Sequence, residues 1–311
     1  MRIGINGTAL VGKASVAAVV EHARAAERDG FSSYWLAEHP TGGFDALTVL
    51  GLVGQAVESI ELGTAVVPTY PRHPLVLAGQ ARTAASAIPG PLTLGVGLSH
   101  PPMLAPLGLR DDRPIRHLRE YLSVLVPLLE TGSVEFRGET LTCEASLFAP
   151  ADKPVPVLVA ALGPQALRVA GARTAGTSLA WVGPRTVRDH IVPRITESAA
   201  AAGRPAPRVV ATLPVCVTGD PEAIRARVSR ASAWYAKLPS YQAMFAREGV
   251  ATPGELAIVG TAAQVEEQLA GLAAAGVTDY SASDVASTPA EREATRELLV
   301  RLAANARISG G

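Results

Sequence analysis

Cysteine is almost missing: Cys143 and Cys216 are the only two in 311 residues, far apart and with no CxxC pair or adjacent histidine cluster. That excludes a disulfide framework and argues against a structural zinc site, leaving two buried, inert thiols as the expectation. Net charge is missing too. Lys plus Arg equals Asp plus Glu at 28 each, so no net field draws the chain to nucleic acid or to an anionic membrane, and neither is expected as a partner. No uninterrupted apolar run reaches the roughly 20 residues that span a bilayer. The opening MRIGINGTAL carries no charged leader ahead of an apolar core, so a cytoplasmic protein is expected.

What is present is apolar material, 48% of the chain against 18% charged, enough for one large α/β domain over residues 1–311. Strand-like runs alternate with Ala-rich amphipathic stretches almost from end to end, which demands a parallel sheet with helical crossovers. The pattern predicts strands at 2–6, 33–37, 60–67, 92–97, 155–160, 177–181, 208–217 and 278–283. Eight strands, each followed by a helix, predict a (β/α)8 TIM barrel. In SVAAVVEHARAAERDGF, Val16, Val19, Val20, Ala23 and Ala26 recur at three and four, and Gly30 stops the helix. Two excursions interrupt the alternation. GSVEFRGETLTCEA alternates like a β-hairpin around Arg137-Gly138, and the stretch from Tyr235 to Gly260 carries a short helix bounded by Pro239 and Gly249.

In such barrels the chemistry sits where the strands end, so the residues after each strand are the candidates. Glu38-His39-Pro40 follows strand 2. This pair reads either as the polar end of a strand anchoring Pro40 or as a proton-exchanging group at the barrel mouth. His73, ahead of Pro74, reads as a helix entrance; His100 lies on a loop that lines the pocket or is solvated; Trp181 stacks on a ring or plugs the core. In VPVLVAALGPQALRVAG a buried strand turns through small residues into a helix at Gly163-Pro164-Gln165, where first-turn N–H groups and the helix dipole favour a phosphate. The same shape also describes an ordinary βα turn with Pro at its first helical position. There is no GxxxxGK[ST], and GVGLSH lacks the spacing of a dinucleotide fingerprint.

Taken together and in order, GFSSYWLAEHP, IELGTAVVPTYPRHPLVLAGQA, LTLGVGLSH, RPIRHLREYL and PVPVLVAALGPQALRVAG resemble the luciferase-like monooxygenase superfamily, and within it the F420-dependent oxidoreductases of actinobacterial type. The resemblance runs from the first strand to the final barrel helix. It implies a bacterial-luciferase-like barrel holding the deazaflavin coenzyme F420 at its mouth, a hydride exchanged at C5 with a small-molecule substrate, and a homodimer. Carried over residue by residue, His39 and Glu38 become the catalytic pair, although the F420 relatives often have Asp at the acidic place. Thr64, Ala65 and Val66 match a strand-3 bulge backing the ring, with Thr64–Ala65 aligned on a non-prolyl cis peptide. Leu98 and Ser99 flank the ring, and Trp181 joins the cofactor-binding set. Ala160, Ala161, Leu162, Gly163 and Gln165 match the phosphate turn. The alternatives are an FMN-dependent monooxygenase on the same scaffold and a catalytically silent cofactor-binding protein.

Overall fold

The alternating apolar and Ala-rich stretches form strands and helices in the expected order. The computed structural model describes residues 1–11, 13–40, 42–110, 112–148 and 153–308. Its strands are β1 (Arg2–Asn6), β2 (Ser33–Leu36), β3 (Glu61–Thr64), β4 (Val67–Pro68), β5 (Leu92–Gly97), β6 (Ser133–Arg137), β7 (Thr142–Ser146), β8 (Val157–Val159), β9 (Gly176–Ala180), β10 (Arg208–Val217), β11 (Ile258–Gly260) and β12 (Asp279–Asp284). Parallel pairing runs β1-β2-β3-β5-β8-β9-β10-β12 and closes back onto β1, with β4 carrying the β3 edge on along β5. This is the closed eight-stranded (β/α)8 barrel that the strand count predicts.

Two features depart from the sequence reading. The third strand is not continuous over 60–67 but breaks between β3 and β4 at a cis peptide, and that peptide is Ala65–Val66 rather than Thr64–Ala65. The reason lies in the ladder. Thr64 is still paired with Leu36, and its hydroxyl donates to Gly95 O and accepts from Gly95 N, both at 2.8 Å. Ala65 N–H still donates to Leu36 O at 2.7 Å, so the chain is free to depart from strand geometry only after Ala65. The second departure is β11, which lies outside the closed ring and pairs in parallel with the last residues of β10.

The first helix, Val16–Arg28, is capped by Ser15, whose hydroxyl accepts from Ala18 N. It buries Val19, Ala23 and Ala26 against the barrel. The excursion around Arg137-Gly138 is the antiparallel β6–β7 hairpin. Buried Glu120 holds its turn by accepting from the N–H groups of Glu139, Thr140 and Leu141. The other excursion contains the helix Pro239–Glu248, ended by Gly249 in the left-handed region at φ 82°. Among the described residues, no helix is long and apolar enough to cross a membrane.

At the N-terminal ends of the strands the barrel is floored by charge. Arg208, the first residue of β10, donates to Glu61 of β3 at 2.8 Å and to Asp279 of β12 at 2.7 Å. Arg2 of β1 pairs with the same two carboxylates, and the Thr93 hydroxyl of β5 donates to Glu61 at 2.6 Å. Above this floor Trp35, Leu158 and Val210 pack together inside the barrel. Desolvation pushes the Glu61 carboxyl up, but the hydrogen bond and charge of Arg208, with Arg2 and Thr93, outweigh it and hold the group below the usual glutamate range.

A depressed carboxyl contributes stability that is complete above the unfolded-state range and is lost as pH falls through the folded value. Arg208→Met, which leaves the two buried carboxylates to the half-exposed Arg2 alone, should cost about 3 kcal/mol at neutral pH. Its deficit should shrink in acid, where protonation relieves the stranded charges while the wild type loses the Glu61 contribution. Denaturant unfolding of both proteins across the acid range checks this; a deficit independent of pH would mean that the floor is held by packing rather than by charge.

Candidate active site

At the opposite, C-terminal end of the strands lies a cavity of about 540 Å³, where the βα loops of such barrels place their chemistry. Every barrel strand or the loop behind it contributes: Asn6 at the end of β1, His39 after β2, Val66 from the bulge, Ser99 after β5, Gly163 after β8, Trp181 after β9, Pro214 from β10 and Ser283 from β12. The helical excursion closes the remaining side with Tyr235 and Tyr241.

The bulge between β3 and β4 is accommodated by glycine. A Cβ on Gly97 would lie 2.7 Å from Val66 Cγ2, and one on Gly95 would lie 2.1 Å from Thr64 O. With both positions bare, the valine side chain stands at the cavity floor as an apolar ledge. Two lining residues other than glycine are held in the left-handed region, Ser99 at φ 64° and Trp181 at φ 58°. Each carries a conformational cost of order 1–2 kcal/mol for an L-residue, and such costs concentrate where a site dictates the backbone. Nothing in the sequence around either residue signals this conformation.

Glu38 and His39 part company in space. The Glu38 carboxylate accepts from Arg72 Nη1 at 2.6 Å and from Ala46 N at 3.0 Å, so both its oxygens are engaged. Arg72 also pairs with Asp45, the N-cap of the helix Ala46–Gly54. This cluster ties the loop after β2 to the loop after β4. His39, one residue on, is exposed at the cavity mouth, and its carbonyl accepts from Gly42 N at 3.3 Å. Arg72 lies inside the quoted VPTYPRHP run, but nothing local to that run singles it out, because its partners are 27 and 34 residues away.

The cavity brings together Glu38, His39, Ala65, Val66, Leu98, Ser99, Ala160, Leu162, Gly163 and Trp181. Three expected residues stand apart from its lining. Thr64 is buried behind the bulge, Ala161 is fully buried in the core, and Gln165 lines an adjoining cleft with Arg113, Arg116 and Arg119. At the turn itself Gly163 is the N-cap of the helix Pro164–Arg173, with no side chain capping that end. A Cβ there would meet nothing within 4 Å. The turn is braced from behind by His190, whose Nε2 lies 2.7 Å from Leu162 O; burial pushes this imidazole below the ordinary histidine value. A helix-borne histidine 28 residues away gives no sequence signal for that role.

His100 belongs to the wall. Its ring meets Trp234 edge-on at 5.4 Å and Tyr241 at 5.6 Å between centroids. Burial lowers its proton affinity, and the charge of His39 acts in the same direction. Tyr70, by contrast, stacks on His117 at 4.0 Å and does not line the cavity. His73 accepts from Leu75 N and so fixes a helix entrance. Both thiols are buried, with Cys216 pushed up to about 11 by desolvation, and neither lines the cavity. Among the described residues, no group of three or more His, Cys, Asp or Glu is arranged to hold a metal ion.

Residues 2–279 match the family model described as luciferase-like monooxygenase, and the chain belongs to that family. It is 34% identical over 194 residues to an F420-dependent glucose-6-phosphate dehydrogenase of Nakamurella multipartita, a match covering 58% of this chain and 57% of that protein. The chain thus spans under two thirds of the length of this curated relative. Among solved structures, the coenzyme F420-dependent tetrahydromethanopterin reductase of Methanopyrus kandleri superposes with a TM-score of 0.82 at 22% identity, covering 96% of this chain and 97% of that one. An F420-dependent secondary alcohol dehydrogenase in complex with an F420-acetone adduct gives 0.79 at 20% identity, covering 96% and 99%. These two likenesses establish the fold.

Because its left-handed backbone is imposed by the site, Ser99→Gly should be at least as stable as the wild type, and Ser99→Val about 1–2 kcal/mol less stable than the glycine variant. Thermal melts of the three proteins check this. A glycine variant that melts well below wild type would show that Ser99 contributes through its hydroxyl rather than bearing a backbone cost.

Proposed function

We propose that this member of the luciferase-like monooxygenase family is an F420-dependent oxidoreductase acting on a small organic substrate. The observation that carries the reading is the pairing, at one barrel mouth, of an apolar ledge at Val66 with an uncapped helix N-terminus at Gly163. The first suits the face of a flat ring and the second a phosphate. The adjoining cleft of Arg113, Arg116 and Arg119 continues the same edge; Glu139 pairs with Arg113 and Arg116, and the positive charge left in excess suits further negative charge. Relatives named for F420 support the choice of coenzyme.

Val66, Ala65, Leu98, Ser99 and Trp181 would hold the ring, and Ala160, Leu162 and Gly163 the phosphate end, with Gln165 at the cleft. When bound, F420 supplies a hydride donor or acceptor at C5 of its deazaflavin. The chain's own task is then orientation, exclusion of water and movement of one proton. His39, exposed at the mouth and outside the Glu38–Arg72–Asp45 cluster, is the group proposed to take the hydroxyl proton of an alcohol or return it to a carbonyl. Glu38 is proposed to act through the loop, because its carboxylate is engaged by Arg72 and Ala46. Pairing of two copies is also proposed, supported by exposed Leu52 and Val76 on adjoining helices; light scattering in solution tests it.

Two outcomes check the reading. Gly163→Glu adds a like charge in open space without meeting the fold, so it should weaken F420 binding by at least tenfold, about 1.4 kcal/mol, with an unchanged melting temperature. Fluorescence titration with F420, run beside FMN, measures this; tight FMN and absent F420 binding would overturn the coenzyme assignment. His39→Ala should keep its melting temperature and coenzyme affinity while losing roughly 100- to 10,000-fold in turnover. Wild-type turnover in that variant would remove the imidazole from the mechanism.

A further inference from the structure

The cavity wall carries little charge, whereas a named relative is a dehydrogenase of a sugar phosphate. Among the described lining residues, Glu38 alone carries a fixed formal charge, and it is spent on Arg72. The remaining lining is aliphatic, aromatic or neutral polar, with His39 and His100 as its two imidazoles. The arginines of the adjoining cleft lie beyond Pro114 and Ile115, beside the turn at Gly163, where the coenzyme's own phosphate is proposed. A phosphate dianion brought into the cavity proper would lose its water without gaining a cationic partner, which buried phosphates require.

The wall offers instead a connected set of rings. Trp181 meets Tyr235 at 5.5 Å, Tyr235 meets Tyr241 edge-on at 5.1 Å, and Tyr241 meets His100, which Trp234 backs from outside the lining. Burial pushes the Tyr235 and Tyr241 phenols upward, so they remain neutral across the physiological range. Such a wall gains from covering an apolar body, and a neutral imidazole set into it can donate to or accept from one oxygen.

We infer that the substrate is an uncharged ketone or secondary alcohol with an apolar, ring-like body, packed on Tyr235 and Tyr241 with its oxygen in reach of His100, and not a sugar phosphate. This rests on the oxidoreductase reading above. His100 is then a substrate-binding residue, and selectivity comes from the absence of any reward for charge at this wall.

The full chain tests this with binding as the readout. Tryptophan fluorescence, which reports through Trp181 and Trp234, is titrated with cyclohexanone and with glucose 6-phosphate, each with and without F420. Cyclohexanone should saturate the signal and glucose 6-phosphate should leave it unchanged. His100→Ala should weaken cyclohexanone roughly tenfold, and His100→Gln, which keeps a hydrogen-bonding group, should recover part of the loss. Should His100→Ala fail to fold, Tyr235→Lys serves instead: a cation on that wall should weaken cyclohexanone and introduce glucose 6-phosphate binding. Saturable glucose 6-phosphate binding by the wild type, no cyclohexanone binding, or no response to these substitutions overturns the inference. If F420 fails to bind while cyclohexanone still saturates, the coenzyme assignment falls and the substrate class stands.

Discussion

Everything at the barrel mouth depends on the closure of its floor. Arg208 reaches across the barrel to carboxylates from β3 and β12, while Arg2 of β1 and Thr93 of β5 bond the same groups. Five of the eight barrel strands are therefore fixed at their first or second residue. Parallel ladders propagate that registry upward, because side chains repeat every two residues and a slip of one would turn each strand inside out. The cluster is costly to bury, and its value lies in registry more than in net stability. Trp35, set above it in the barrel interior, adds the packing that the charges alone do not supply.

From a fixed floor the strands deliver their last residues to the mouth with enough rigidity to hold unfavourable backbone there. Ser99 and Trp181 leave their strands through the left-handed region. The third strand departs from its ladder at Ala65–Val66, and only the bare Gly95 and Gly97 of the neighbouring strand let it do so. A loop scaffold would relax such features. Here the ladder on one side and the Glu38–Arg72–Asp45 cluster on the other leave the chain no cheaper path.

The sequence disclosed the architecture because architecture is written in short periods. Strands at 92–97 and 208–217 were legible to the residue, since an apolar run bounded by proline, glycine or charge has few readings. The bulge was harder. Position 64 and position 65 look alike along the chain, and what separates them is a hydroxyl bonded to Gly95, 31 residues away. The same limit hid Arg72 and His190, whose roles are defined by partners far along the chain. It also blurred Glu38 and His39: adjacency suggested a joint task, whereas the fold engages the acid with a cation and a helix N-terminus and leaves the imidazole at the mouth. Long-range contacts do not appear in periodicity, so the residues that brace a site stay silent while those that line it can be found from strand ends.

The resulting molecule separates its electrostatics along the barrel axis. Charge is concentrated at the floor, where it sets registry, and at the edge near Gly163, where Arg113, Arg116 and Arg119 gather. Between them the cavity wall is close to neutral. Hydride exchange is well served by such a division, since the reacting bond needs orientation and a dry surrounding more than it needs acids and bases, and a fixed charge beside it would bias the transfer in one direction. In the proposed hydride exchange a single proton would move with the hydride, and His39 and His100 both stand on the lining beside the engaged Glu38 carboxylate.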